Sequence, residues 1–267
     1  MTKPLLHFAH ANSYPAGTYR QFFAHLGQDF EIHALDMHAH DPRYPVQDGW
    51  GALVTELIDQ LAARYAAPVI LVGHSLGGML CMMAAKQRPE LVRCVVLLDS
   101  PVLAGWRALF WRVLKNSAWA DRYSPARFSE RRRNLWPDAE AVHSQYAAKD
   151  VFSAWAPGVL RDYLDSALAP HQQGVQLRFT RESESAVYRS LPHHLGALVR
   201  LRYPVPIGFI GGIDSVESRQ AGLGATRKLV GRHFCQISGG HLFPMESPAL
   251  AAEATRAMIA ALLGTTP

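Results

Sequence analysis

A serine flanked by glycines stands where a nucleophile could be exposed. The sequence Gly-His-Ser-Leu-Gly occupies positions 73–77, directly after the apolar run 69–72 and at the start of a helical pattern over 76–87. The run predicts a buried strand, so Ser75 falls in a strand–turn–helix context. Glycines at these two places let strand and helix fold back on each other tightly, which leaves the hydroxyl beside the N–H groups of the first helical turn. The pattern indicates a serine nucleophile, although Gly and Ser also occur in ordinary turns.

A serine hydroxyl needs a base, and histidine is the usual one. His241 suits this role because it lies in a glycine-containing loop between the predicted strand 233–237 and the final helical segment 248–263. Asp214, which follows the predicted strand 206–210 through two glycines, is our first choice for the acid that orients the imidazole. Asp99, at the end of the apolar run 92–98, is the alternative acid. The order Ser75, Asp214, His241 is the one expected for a nucleophile on a strand–turn–helix.

The remaining elements must bring these residues together. Strand-length apolar runs alternate with helical patterns over residues 1–100 and again after residue 200, which predicts a mostly parallel sheet covered on both faces. Residues 101–200 interrupt the alternation. They hold five of the six tryptophans, and their 14 Lys/Arg against 9 Asp/Glu account for the chain's net charge of +5. We therefore expect a core made of 1–100 and 201–267, with 101–200 as a separate lobe.

Composition excludes several classes of protein. The 267 residues are 49% hydrophobic and 18% charged, which excludes disorder as the overall state. The apolar runs are far shorter than the roughly 20 residues of a spanning helix, so no integral membrane association is expected. Three cysteines without a Cys-x-x-Cys pair, and no signal-peptide pattern, favour a cytoplasmic protein without a disulfide framework. No recognised nucleic-acid-binding module is present.

With these residues in this order, the sequence resembles the α/β-hydrolase superfamily over essentially its whole length. The resemblance implies an all-parallel, six-stranded sheet flanked by helices, with a largely helical cap at 101–200 inserted after the fourth core strand. It also implies an oxyanion hole formed by the backbone N–H groups of Asn12 and Leu76. His10-Ala11-Asn12 corresponds to the family's His-Gly-x after the first parallel strand, and Ala11 departs from that pattern.

The expected activity is that of a serine hydrolase, foremost a carboxylic-ester hydrolase that forms an acyl-enzyme and needs no metal or organic cofactor. Thioester hydrolysis and hydrolytic C–C cleavage are alternatives for the same triad. A ligand-binding or sensing protein on a hydrolase scaffold is a further alternative. The expected substrate is a small molecule with an apolar acyl or aromatic part, and the positive charge of the cap would favour anionic or amphipathic ones.

Two other groups of residues have competing interpretations. His38, His40 and Asp41 are dense enough for metal ligation, but a polar loop near the active-site face is the favoured interpretation. The tryptophans of 101–200 either form the core of the cap or line an apolar substrate pocket.

Overall fold

The computed structural model describes residues 2–115 and 126–264, which form nine strands. The strands are β1 Leu5–Ala9, β2 Glu31–Ala34, β3 Val69–His74, β4 Val92–Leu98, β5 Leu135–Trp136, β6 Leu168–His171, β7 Gly174–Leu177, β8 Ile207–Gly212 and β9 Phe234–Ile237. Six of them form a central sheet of order β2-β1-β3-β4-β8-β9, in which every neighbouring pair is parallel. The predicted all-parallel, six-stranded α/β architecture is confirmed.

Helices connect the strands and cover the sheet. They are α1 Arg20–Leu26, α2 Gly51–Arg64, α3 Leu76–Gln87, α4 Gly105–Lys115, α5 Ala126–Arg131, α6 Ala139–Ala147, α7 Asp150–Ser153, α8 Val159–Ala167, α9 Arg181–Arg189, α10 Val216–Ala221, α11 Gly224–Val230, α12 Phe243–Glu246 and α13 Pro248–Leu263. Short 3₁₀ turns occupy Ala16–Tyr19, Asp48–Trp50, Pro89–Leu91 and Leu195–Val199. No described helix is both long and apolar enough to cross a membrane.

The central strands are buried on both faces. Successive side chains of a strand point to opposite sides, and those of β3 enter two different clusters. Ile70 and Val72 pack with residues of α1 and α13, whereas Leu71 packs with residues of α2 and α3. A strand enclosed in this way needs apolar residues at every position, which explains the unbroken runs in the sequence.

The segment between β4 and β8 is the predicted insertion, and its described part is largely helical. It also contains a three-stranded antiparallel sheet of order β5-β7-β6, which was not predicted from the sequence; its strands have only two to four residues. Trp136 and Trp155 belong to the buried core, whereas the side chain of Trp106 is exposed. Trp119 lies outside the described residues.

A glycine separates the two short helices that follow β8. Gly222 lies between α10 and α11 with a φ of +75° and a ψ of +133°, a backbone conformation that favours glycine.

Candidate active site

Ser75 stands on a strained turn between β3 and α3. Its φ of +51° and ψ of −115° are unusual for a residue with a side chain, and such strain is found at functional sites. A Cβ on Gly73 would lie 2.5 Å from the backbone of Gly77, and one on Gly77 would lie 2.0 Å from the carbonyl oxygen of Ala9. The two glycines expected from the sequence therefore allow the turn to close and let α3 begin directly against the end of β1.

A third glycine fixes the other side of the turn. A Cβ on Gly78 would lie 2.1 Å from Oγ of Ser100, which follows β4. The beginning of α3 therefore packs closely between the carboxyl ends of β1 and β4, the two neighbours of β3 in the sheet.

A hydrogen-bonded chain links Ser75 to a buried acid. Nε2 of His241 lies 3.0 Å from Oγ of Ser75, and Nδ1 of His241 lies 2.6 Å from Oδ2 of Asp99. A carboxylate can only accept at this position, so Nδ1 carries the proton. Nε2 is then the unprotonated nitrogen that faces the serine hydroxyl.

Asp99 is held by four donors. Its side chain is fully buried directly after β4, with a φ of +41°. Besides His241, the N–H of Gly212 donates to it at 3.0 Å, the hydroxyl of Ser218 at 2.9 Å and the hydroxyl of Ser215 at 2.5 Å. Burial raises the pKa of Asp99, but the hydrogen bond and charge of His241, with the Ser215 and Gly212 donors, outweigh it and hold the pKa below its usual value.

In the structure the histidine is bonded to Asp99 and not to Asp214, the acid that the sequence favoured. Asp214 is exposed, its backbone N–H donates to the carbonyl of Gly239, and Nδ1 of His241 is bonded to Asp99. Asp99 follows β4, which pairs directly with β3, so its carboxylate lies behind the serine turn. The loop after β8 does not supply the acid. Its contribution is the hydroxyl groups of Ser215 and Ser218, which donate to Asp99.

The same pairing sets the basicity of the histidine. Burial lowers the pKa of His241, but the hydrogen bond and negative charge of Asp99, with smaller contributions from Glu217 and Glu246, raise it above its ordinary value. A histidine in this setting is a stronger base than a free imidazole and is stabilised once it is protonated.

The two backbone N–H groups predicted to bind the oxyanion belong to residues next to the serine turn. Leu76 is the first residue of α3, so its N–H has no partner within the helix. Asn12 follows β1 in the loop that the contact between Gly77 and Ala9 brings against the serine turn. The Asn12 side chain turns away from this task, because its Nδ2 donates to the carbonyl of Glu184 at 3.3 Å.

A second hydrogen-bonded chain joins the three loops of the site. The N–H of Ala11 donates to Oη of Tyr19 at 3.1 Å, and that hydroxyl donates to Nδ1 of His74 at 2.7 Å. Nε2–H of His74 donates to the carbonyl of His241 at 2.9 Å. Burial and the neighbouring His241 lower the pKa of His74 to about 3, so the ring stays neutral with one proton.

The histidine-rich loop after β2 is engaged in protein contacts. Nδ1 of His38 pairs with the buried carboxylate of Glu56 at 3.1 Å, and Nδ1 of His40 donates to the carbonyl of His38 at 2.9 Å. The carboxylate of Asp41 binds the guanidinium of Arg43.

Among the described residues, one group of possible metal ligands lies at the reaction centre. Asp99, Glu217 and His241 each bring a donor atom within 4.8 Å of the others. A cation held by all three would have to replace the Nδ1 proton that joins Asp99 to His241, so the arrangement fits an acid–base pair better than a metal site.

Several contributors were not foreseen from the sequence: Gly78, Tyr19, Ser215 and Ser218. A partial signal existed for the serines. Ser215 caps the helix α10 by accepting from the N–H of Ser218, a spacing typical of helix starts, and the same hydroxyl also donates to Asp99.

Comparison with known proteins agrees with the fold. A family model described as the alpha/beta hydrolase family matches residues 8–254. The chain is similar to the crystal structure of an E-2-(acetamidomethylene)succinate hydrolase, with 22% identity, a TM-score of 0.78 and coverage of 97% of this chain and 92% of that one. It is similar to a thioesterase domain from the curacin biosynthetic pathway, with 16% identity, a TM-score of 0.73 and coverage of 94% and 90%. An N-formylmaleamic acid deformylase from Pseudomonas putida S16 matches with 15% identity, a TM-score of 0.64 and coverage of 96% and 92%.

Proposed function

Because the chain belongs to the alpha/beta hydrolase family, we propose that it is a serine hydrolase, foremost of carboxylic esters, with a triad of Ser75, His241 and Asp99. The observation that carries this proposal is the unbroken hydrogen-bonded chain from Oγ of Ser75 through both ring nitrogens of His241 to Oδ2 of Asp99. The proposed nucleophile, base and orienting acid are thus joined by hydrogen bonds in the order that a Ser-His-Asp mechanism requires.

In the first half of the reaction, Nε2 of His241 takes the proton of Ser75 as Oγ attacks the substrate carbonyl. The imidazolium that forms is stabilised by the Asp99 carboxylate, which four donors keep ionised and immobile. The negative charge on the carbonyl oxygen is received by the backbone N–H groups of Asn12 and Leu76, aided by the positive end of the α3 dipole.

In the second half, the imidazolium returns its proton to the leaving group, which departs as the alcohol. The acyl group stays on Oγ of Ser75 as an ester. His241 then takes a proton from water as the water oxygen attacks the acyl carbon. The bond from that carbon to Oγ breaks, the imidazolium returns its proton to Oγ of Ser75, and the acid product leaves.

The compared structures belong to hydrolases of different kinds, and one fold accommodates all of them. One is a thioesterase domain and another is a deformylase. Oxygen, sulfur and nitrogen leaving groups all depart from the same tetrahedral intermediate, so the ester is proposed as the leading substrate class and the thioester as the nearest alternative.

The test is turnover of a p-nitrophenyl ester series from acetate to laurate by the wild type and by Ser75→Ala. We expect the variant to lose roughly 10⁴- to 10⁶-fold in kcat, since removal of a triad nucleophile leaves only oxyanion and binding contributions. Ser144→Ala, at an exposed serine of α6, is the matched control and is expected to keep full activity. Equal turnover by Ser75→Ala and the wild type would refute the role of Ser75.

Covalent labelling separates this function from that of a ligand-binding protein on the same scaffold. A fluorophosphonate should modify Ser75 rapidly, because Nε2 of His241 activates its hydroxyl. Labelling of Ser75 no faster than that of Ser144 would favour the binding protein.

A further inference from the structure

A small cavity adjoins the loop that bears the proposed oxyanion donor. Its volume is about 170 Å³, and the insertion forms most of its wall. The lining residues are Ser13, Tyr14, Arg132, Tyr146, Lys149, Phe152, Tyr163, Glu184 and Tyr188. Ser13 directly follows Asn12, and Nδ2 of Asn12 donates to the backbone carbonyl of Glu184, another residue of the wall. The cavity therefore lies beside the position proposed for the substrate carbonyl oxygen.

The charged groups of the wall have an excess of cations. Arg132 and Lys149 contribute two positive charges and Glu184 contributes one negative charge. The carboxylate of Glu184 lies 2.6 Å from Nη2 of Arg132, so it is already engaged with a cation. Partial burial and the charge of Arg132 lower the pKa of Lys149.

Hydrogen-bond donors in the wall lack protein partners. Oγ of Ser13 is buried without a hydrogen bond although Ser13 is only 5% exposed, and Nε of Arg132 is equally buried and unpaired. Unpaired buried donors cost free energy, and each one in a folded protein requires an explanation. Burial, together with Glu184, raises the pKa of Tyr188 to about 12, which keeps its phenol protonated.

The remaining walls are aromatic and rigid. The rings of Tyr146 and Phe152 stack with centroids 4.9 Å apart, and those of Tyr146 and Tyr163 with centroids 6.1 Å apart. Nζ of Lys149 lies 4.3 Å from the centroid of the Tyr146 ring, so a cation–π contact holds the ammonium against a ring of the wall. A small planar anion flanked by carbon atoms fits such a lining.

We propose that this cavity binds a carboxylate of the substrate, which makes the preferred substrate a small acyl compound that bears a second, ionised acid group. Nε–H of Arg132 and the ammonium of Lys149 pair with the anion, and the hydroxyl of Ser13 donates to it. This assignment rests on the proposed serine hydrolase function. It also gives the insertion a role, because Arg132 and Lys149 of the insertion line the cavity together with Ser13 of the loop after β1.

The distance between the two ends of the substrate must be short. Asn12 and Ser13 are consecutive, and consecutive Cα atoms are about 3.8 Å apart. The carbonyl bound by the N–H of Asn12 and the carboxylate bound by Oγ of Ser13 can therefore be separated by only a few carbon atoms, as in a half-ester of a four- or five-carbon dicarboxylic acid.

The first test measures binding without turnover. Monoethyl succinate and ethyl levulinate have nearly the same shape, but the first ends in a carboxylate and the second in a methyl ketone. Calorimetry on Ser75→Ala at pH 7.5 is expected to give a Kd about ten- to hundredfold lower for monoethyl succinate, the range for charge-assisted hydrogen bonds to a bound anion. Equal Kd values, or no detectable binding of the charged ester, would overturn the proposal.

The second test identifies the residues through the ratio of kcat/KM for the charged ester to that for the neutral ester. We expect Lys149→Met to lower this ratio about tenfold. Arg132→Met is combined with Glu184→Gln, because removal of the arginine alone would leave a buried carboxylate unpaired and threaten folding. Arg131→Met is the matched control, since this exposed neighbour does not line the cavity, and its ratio should equal that of the wild type.

The outcomes separate the two proposals. An unchanged ratio in both Lys149→Met and the double variant overturns the carboxylate site, while hydrolysis by the wild type and its loss in Ser75→Ala keep the serine hydrolase. If Ser75→Ala hydrolyses esters as fast as the wild type, the proposed function fails instead, and the kcat/KM ratios of the cavity variants still decide whether the cavity prefers the anion.

Discussion

The reaction centre and the neighbouring cavity differ in whether their buried polar groups have hydrogen-bond partners within the protein. Asp99 receives four hydrogen bonds, and both ring nitrogens of His241 have protein partners. In the cavity, Oγ of Ser13 and Nε of Arg132 are buried without any partner. The first region comes from the ends of the core strands, and the second is formed mainly by the insertion.

The two patterns of hydrogen bonding suit two different tasks. Acid–base groups work best when their orientation is fixed before the substrate arrives, so their hydrogen bonds are made within the protein. A recognition site must leave donors free, because the ligand supplies the missing acceptor and an analogue without one leaves them unpaired. The difference in hydrogen bonding between the two regions therefore agrees with the two tasks proposed for them.

We expect the largest effect from a change to the acid of the reaction centre. Asp99→Asn keeps the size and shape of the side chain, and Asn tolerates the positive φ at this position. It cannot hold His241 in the required tautomer or stabilise the imidazolium, so kcat should fall about 10³- to 10⁴-fold. The measurement is steady-state hydrolysis of the best p-nitrophenyl ester.

Asp214→Asn is the matched control for this variant. The exposed carboxylate of Asp214 follows the neighbouring strand, and its backbone N–H would keep its bond to Gly239. Activity within about twofold of the wild type is expected, in line with the small effect of most surface substitutions. A larger loss in Asp214→Asn than in Asp99→Asn would return the acid to the position first expected from the sequence.

The choice between these two acids shows where sequence reasoning reached its limit. Both follow predicted strands of a parallel sheet and both precede His241 in the chain. The deciding fact is that β4 lies next to β3, which depends on the order of strands in the sheet and not on their order in the chain. Hydrophobic periodicity reports which face of an element is buried, but it does not report which elements are neighbours.

Local patterns were more informative within the core. The bounds expected for α3, β4 and α13 agree with the structure to the residue, because their apolar patterns end at clear polar or turn residues. The glycines at 73 and 77 located the turn of Ser75, since only a missing Cβ permits those approaches. The cavity could not be predicted, because its wall combines residues from the β1 loop with residues far along the insertion.

A pH profile tests the electrostatic side of the reaction centre. The base must be neutral to accept a proton, and the pKa of His241 is raised by its partner Asp99 despite burial. The acid limb of kcat/KM for a neutral ester should therefore lie above pH 6.5, with a tenfold fall for each pH unit below it. In the residual activity of Asp99→Asn the limb should move to lower pH. A wild-type limb below 6.5 would contradict this account of the pair.

The smallest expected effect concerns the second hydrogen-bonded chain, which supports the reaction centre without touching its atoms. Tyr19→Phe removes only the hydroxyl that joins the N–H of Ala11 to Nδ1 of His74. The neutral His74 ring loses the donor that fixes its tautomer, so its Nε2–H is no longer directed at the carbonyl of His241. We expect kcat to fall about three- to tenfold, since small displacements of catalytic groups are costly.

A purely structural role of Tyr19 would give a different result. Loss of one buried hydrogen bond costs about 1 kcal/mol of stability, which shifts Tm by a few degrees in a protein of this size. If Tyr19 positions the loops, Tyr19→Phe lowers kcat while its KM for the neutral ester stays near the wild-type value. Phe8→Leu alters packing against the same ring, and it should then lower Tm without an equal loss of kcat. Parallel losses of Tm and kcat in both variants would assign Tyr19 to packing alone, and the contrast would then rest on the triad and the cavity.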